Sequence, residues 1–288
     1  MLPILLLLWL AADTSAADQL YRQGRFAEAA SAYRQLMSAD PSSVEAMSGA
    51  GRSLLQLHNP REAGPLLARA YQLKPDSGEI QLGLAQSLFE VGNAGAATSL
   101  LEPLVEKEPS NVPALRLLSE ALYRQGYYRN ALTRLDRLAG LHADDLQSRS
   151  FRAVALAKTG QLKEAEAACR SLIDAKPDAL DMDVALTYVE VLYDSGRYDE
   201  AMPYAERVGQ QQPRNPIAPL WKARLLSRSG NLEQAAKQAE LSVSLAPSLP
   251  FAHSLLLEIY RKAGRAQDAE QQAKWMRAYN ESVAGRGR

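Results

Sequence analysis

Gly24-Arg25-Phe26-Ala27-Glu28-Ala29, followed by Tyr33 and Pro41, is the stretch that decides the fold, because it returns along the chain at a fixed spacing. Gly196-Arg197-Tyr198-Asp199-Glu200-Ala201 repeats it, and Gly126-Tyr127-Tyr128-Arg129-Asn130-Ala131 does so again. Alanine sets the period. Ala29, Ala63, Ala97, Ala131 and Ala165 lie 34 residues apart, and after one step of 36 the spacing of 34 resumes at Ala201, Ala235 and Ala269. Five residues before each alanine stands a turn position: Gly24, His58, Gly92, Gly126, Gly160, Gly196, Gly230 and Gly264. Twelve residues after it comes proline, at Pro41, Pro75, Pro109, Pro177, Pro213 and Pro247, with Ala143 the exception before the last repeat. Self-similarity at such a period marks a stacked array of one supersecondary unit.

Each register has a physical cause. Glycine takes the left-handed conformation that ends one helix and opens a tight turn. Proline cannot continue a helix interior, so it marks where the second helix stops. Alanine stands where two helices approach closely and a larger side chain would force them apart. Periodic helices fill the intervals, such as Ala114 to Gln125 before a turn and Asn231 to Leu245 after one. Composition agrees: five Ile, eleven Val and five Thr in 288 residues are too few for a protein built on sheets. Leu, Ala, Gln, Glu and Arg, all strong helix formers, dominate instead.

These residues resemble the G-x-[FY]-x-x-A…P signature of the tetratricopeptide repeat family. The family's small first-helix residue is matched by Gly51, Ala85, Ser119, Ala153 and Ala223, with departures at Val189 and Leu257. The resemblance covers residues 18 to 281. It implies an all-α fold, a right-handed α-solenoid of helix-turn-helix repeats near residues 10–43 (truncated), 44–77, 78–111, 112–145, 146–179, 182–215, 216–249 and 250–281. First helices would line a concave groove and second helices the convex back, with 282–288 as a flexible tail. Two extra residues fall in the loop around Asp178 to Asp183, where a local change of stacking angle is expected.

Residues 2 to 12, LPILLLLWLAA, are almost wholly apolar and lead into DTSAA. The run is shorter than the roughly 20 residues a spanning helix needs, and fits the apolar region of a secretory signal. Ser15 and Ala17 are small enough for the −3 and −1 positions of a cleavage site. Residues 1–17 are therefore expected to be a signal peptide, with a periplasmic or extracellular mature chain. An uncleaved membrane anchor and an ordinary buried first helix remain the alternatives, since no Lys or Arg precedes Ile4.

The charge balance narrows the partner. Thirty-three Lys and Arg meet 33 Asp and Glu, for zero formal net charge, so there is no electrostatic case for nucleic acid or an anionic membrane surface. One Cys precludes an internal disulfide. Catalytic chemistry is also poorly served. His58, His142 and His253 are scattered, no H-E-x-x-H, P-loop or G-x-S-x-G segment occurs, and Cys169 falls on the inner face of a second helix. The expectation is a non-enzymatic chain with no cofactor and no metal.

What remains is the groove. Carried over from the resemblance, its inward positions are Arg52, Gln86, Phe89, Arg116, Glu120, Tyr123 and Arg124 in the first half. In the second half they are Phe151, Lys158, Glu190, Tyr193, Asp194, Trp221, Arg224 and Arg228. One register recurs as aromatic at Tyr21, Phe89, Tyr123 and Tyr193. Aromatic rings and guanidinium groups dominate binding hot spots and suit an extended peptide or partner protein. Gly49 and Gly83, at one register of adjacent repeats, are expected to leave a shallow gap for that chain. The family's carboxylate clamp, built on Lys and Asn, is not matched, since Ser48, Arg52 and Gly83 stand there. Envelope, secretion or assembly machines are the expected home, by analogy. The final helix, Gln267 to Asn280, carries Trp275, Met276 and Tyr279, either as the array's own cap or as a self-association patch forming a homodimer.

Overall fold

The structure is a computed structural model and describes residues 14–141, 145–176 and 181–286. Those residues form sixteen α-helices and no strand, in two compact units that divide between Ser148 and Arg149. Unit 1 holds the pairs α1 (Ser15–Arg22) and α2 (Phe26–Ala39), α3 (Val44–Gln56) and α4 (Pro60–Leu73), α5 (Gly78–Glu90) and α6 (Ala94–Lys107), α7 (Val112–Arg124) and α8 (Tyr128–Leu141). Unit 2 holds α9 (Leu146–Lys158), which begins just before the boundary, and α10 (Leu162–Ala175), α11 (Met182–Asp194) and α12 (Tyr198–Gln211), α13 (Ile217–Arg228) and α14 (Leu232–Leu245), α15 (Pro250–Lys262) and α16 (Ala266–Arg286). Each unit is thus a stretch of all-α solenoid built from helix-turn-helix repeats.

The three registers appear as three structural devices. Every turn glycine has a positive φ, from 72° at Gly264 to 91° at Gly92. Its N–H and the next residue's N–H close the preceding helix: Gly126 N–H donates to Tyr123 O at 2.9 Å and Tyr127 N–H to Leu122 O at 2.9 Å. His58 holds the same position at φ 54°, the one non-glycine with positive φ among the described residues. Second helices stop just short of the prolines, α2 at Ala39 before Pro41 and α14 at Leu245 before Pro247. Ala29, Ala63, Ala97, Ala131, Ala165, Ala201 and Ala235 are wholly buried, and only Ala269, in the last helix, opens slightly.

A fourth register emerges only from the hydrogen bonds. Ser43, Ser77, Asn111, Asp145 and Asp181 each accept the N–H at the third helical position, from Ala46, Ile80, Ala114, Ser148 and Val184. Such a cap satisfies one of the orphan donors of a helix start and stabilises it by ~1 kcal/mol. The cap thereby fixes where each first helix begins.

Consecutive helices pack throughout unit 1, and first helices also touch across repeats, α1 on α3, α3 on α5 and α5 on α7, whereas no second-helix pair packs comparably. In unit 2 the first-helix contact recurs between α13 and α15 but is not matched between α11 and α13.

Three expectations meet qualification. The first part of the expected signal, residues 1–13, His142, Pro177 and residues 178–180 of the inserted loop lie outside the described residues. Within them, α1 begins at Ser15, and Ala17 is buried against Ala29, Tyr33 and Ala50. The flexible tail at 282–288 is corrected in part: α16 runs to Arg286, because Glu281 to Ala284 contain no helix breaker and Ser282 Oγ bonds Tyr279 O at 2.7 Å. No helix among the described residues is long and apolar enough to cross a membrane.

Candidate functional site

The first-helix faces of the two units carry the residues the sequence pointed to, in different states. In unit 1 every arginine of that set is bound to a carboxylate. Arg52, from α3, pairs with Glu79 at the start of α5, and its guanidinium lies 5.0 Å from the Tyr21 ring centroid. Its Nε is buried with no hydrogen-bond partner, a local cost carried by the packing around it. Arg116 meets Asp145 at 2.5 Å, and Arg124 meets Glu120 at 2.6 Å while lying 4.7 Å from the Phe89 centroid. Gln86 donates to Glu90 at 2.9 Å. Tyr21 packs edge-on against Phe26, and Tyr123 against Tyr128. Partly exposed pairs of this kind contribute only ~0–1 kcal/mol each, so their main effect is to neutralise the face.

In unit 2 Lys158 bonds Glu190 at 2.7 Å, and Phe151 is half-buried. The two arginines there are held by rings. Arg224 lies 4.8 Å from the Trp221 centroid and 5.3 Å from that of Tyr193. Arg228 donates its Nε–H to Tyr193 Oη at 2.8 Å and stands 5.7 Å from the same ring. Tyr193 and Trp221 meet edge-on at 5.7 Å, and Tyr198 leans on Tyr193 at 5.4 Å. Neither arginine has an ion-pair partner among the described residues. The sequence-derived set therefore assembles as a continuous cluster at Tyr193, Trp221, Arg224 and Arg228, and as separate neutralised pairs in unit 1.

The expected gap at Gly49 and Gly83 is corrected. A Cβ on Gly49 would lie 2.3 Å from the Tyr33 ring, and one on Gly83 would lie 3.1 Å from Leu67. The missing side chains are replaced by residues of α2 and α4, so both glycines serve packing inside the array. Tyr33, held there, donates its hydroxyl to Asp18, and burial together with that carboxylate raises its pKa. Phe89 is also more enclosed than a groove residue should be, at 9% exposure. Sequence reasoning missed Glu79 and Asp145 as the partners that neutralise unit 1, although Asp145 stands in the cap register with Ser43, Ser77 and Asn111. It also missed Phe251, 69% exposed at the start of α15.

Other reactive residues are built into the core. Cys169 is wholly buried, and burial pushes its thiol pKa up to about 12, which suits a small core hydrophobe. His253 is 5% exposed, with Nδ1 2.8 Å from Gln272 Oε1, Nε2 2.9 Å from Pro247 O, and its ring stacked at 3.4 Å on Trp275. Trp275 in turn stacks on Tyr279 at 5.3 Å. Among the described residues no group of three or more His, Cys, Asp or Glu could hold a metal ion.

Sequence profiles of the tetratricopeptide repeat match residues 54–122, 88–155 and 192–248, and further profiles of the same repeat match 14–78 and 146–171. The TPR repeat-containing thioredoxin TTL4 of Arabidopsis thaliana is 35% identical over 79 residues, which are 27% of this chain and 12% of that protein. The chain thus spans only a small part of that relative. Human IFIT1, solved as a dimer with m7Gppp-AAAA, superposes with a TM-score of 0.53 at 16% identity, over 90% of this chain and 66% of that one. YrrB, described as a TPR protein with an unusual peptide-binding site, gives a TM-score of 0.52 at 19% identity, over 60% of this chain and 90% of that one. At these identities the superpositions speak to the fold.

Proposed function

Because the chain belongs to the tetratricopeptide repeat family, we propose that it is a non-catalytic interaction scaffold that binds an extended peptide or partner protein along its first-helix faces. The observation that carries this reading is the cluster of Tyr193, Trp221, Arg224 and Arg228, where rings and guanidinium groups are partly exposed together and bound to each other instead of to carboxylates. Large rigid rings with charged rims supply contact area at low entropic cost. YrrB supports the reading as a protein of similar fold with a peptide-binding site. The buried thiol and the enclosed His253 are consistent with binding rather than catalysis. A photo-crosslinker at Tyr123 or Tyr193 should capture a partner in cells, and one on a second helix at Lys163 should not; equal capture from Lys163 rejects the first-helix face as the working surface.

Export to the periplasm or extracellular space, and a place in an envelope or secretion assembly, belong to the same proposal and rest on the apolar run at residues 2–12. Processing after Ala17 would remove the first turn of α1 together with a buried alanine. N-terminal sequencing of the chain from a fractionated host tests the export reading, and a cytosolic chain retaining Leu2 would sink it. The alternative function, self-association through the last helix, would have to use Trp275 and Tyr279. Trp275 stacks on His253 and Tyr279 on Trp275, which favours a role as cap.

A further inference from the structure

The repeat makes the two units comparable residue by residue, and the comparison isolates what unit 2 lacks. Arg52 over Tyr21 and Arg224 over Tyr193 are the same pair of registers, each arginine 31 positions after its ring. Arg124 over Phe89 and Arg228 over Tyr193 are a second such pair, each 35 positions apart. In unit 1 the first arginine is neutralised by Glu79, 27 positions after it, and the second by Glu120, four positions before it. Counting the same intervals in unit 2 from Arg224 and Arg228 gives Phe251 and Arg224. Both carboxylates are gone: one place holds an exposed phenylalanine and the other a second cation. Both guanidinium groups converge on one ring, Tyr193.

Among the described residues no acid forms an ion pair with either arginine: Glu190 bonds Lys158, Glu258 bonds Lys262 at 2.7 Å and reaches Arg228 through longer-range charge alone, and Asp194, beside Tyr193, forms no ion pair. Paired guanidinium groups over aromatic faces hold a carboxylate strongly, through charge-assisted bonds in a fixed fork. Trp221 offers apolar area under Arg224, and the 69% exposed Phe251 stands at the register that Glu79 holds beside Arg52 in unit 1.

We propose that this part of the scaffold recognises an acidic peptide segment, in which carboxylates meet Arg224 and Arg228 and a neighbouring apolar side chain packs on Trp221 and Phe251. The proposal rests on the groove-binding reading and names its partner's chemistry. Protein is preferred to nucleic acid because only these two cations lack an ion pair among the described groove residues, too few to track a phosphate backbone, whose binding grows with each phosphate neutralised.

The test uses the full chain with its indole side chains observed by NMR. It is titrated with a short capped peptide carrying repeated Glu-Phe-Glu blocks, with the Gln-Phe-Gln counterpart, and with oligoadenylate. The acidic peptide should shift the Trp221 indole signal and leave that of Trp275 in place. Affinity should fall ~10-fold or more for the Gln peptide, for Arg228→Gln, and for Phe251→Glu, which restores the carboxylate of unit 1, since a charge-assisted contact is lost in each case. Lys163→Gln, on the exposed face of a second helix, should leave it unchanged. Equal binding of the Gln peptide overturns charge recognition while sparing the groove. Tighter binding of oligoadenylate overturns the choice of partner, and no Trp221 shift with any peptide overturns the site. Crosslinking at Tyr123 and Tyr193 reports on groove binding independently of these outcomes.

Discussion

Unit 1 and unit 2 put the same registers to different uses. In two repeats of unit 1 one first-helix register is glycine, Gly49 and Gly83, where Tyr33 and Leu67 fill the space from behind, and Arg52, Arg116 and Arg124 are each closed by an acid. In unit 2 the same register carries Trp221, and the arginines beside it rest on aromatic faces. A repeat array therefore need not use all of its face for binding. One stretch can be spent on packing and self-neutralisation, which stiffens it, while another keeps rings and charge for a partner.

The contrast can be broken most forcefully in unit 1. Gly49→Ala would put a Cβ 2.3 Å from the Tyr33 ring and should destabilise the chain by ~2–3 kcal/mol, as overpacking of a filled site does, visible as an earlier thermal transition. A neutral result would mean that this seam is open after all. At the far end of unit 2, Trp275→Ala removes the ring that covers His253 and should cost ~1–2 kcal/mol without changing the molar mass in solution. A dimer that disappears in that variant would favour self-association over capping.

Smaller effects sharpen the same comparison. His58→Gly relieves the one left-handed non-glycine turn and should raise stability by ~0.5–1 kcal/mol, measured by denaturant unfolding. Arg116→Gln removes an exposed arginine from a carboxylate and should change stability by less than ~1 kcal/mol. If it instead abolishes partner capture at Tyr123, the neutralised face of unit 1 is a binding surface too.

Much of the fold was legible because the turn, packing and breaker positions are local demands. A positive φ asks for glycine, a close helix crossing asks for alanine, and a helix stop asks for proline, wherever they fall in the chain. The cap register at Ser43, Ser77, Asn111, Asp145 and Asp181 was equally visible, yet its residue type varies among three kinds of acceptor, so it does not read as a repeat until the bonds are seen. The candidate site was legible as a set of residues and illegible as a state. Locally Arg52 follows Gly49 and Arg224 follows Trp221, but which arginine is paired with an acid is decided 27 positions away, by Glu79 and Phe251.

The sequence by itself thus determined the unit, its period and the face on which rings and charges recur, since these follow from backbone conformation and side-chain volume within one repeat. Tertiary structure decided which of those residues are spent and which are available. Gly49 became a packing seat because a ring from the neighbouring helix entered it, and Arg224 kept its charge uncompensated because stacking brought it an aromatic face and no acid. Volume and charge are shared across helices, so their balance is settled only when the repeats stack.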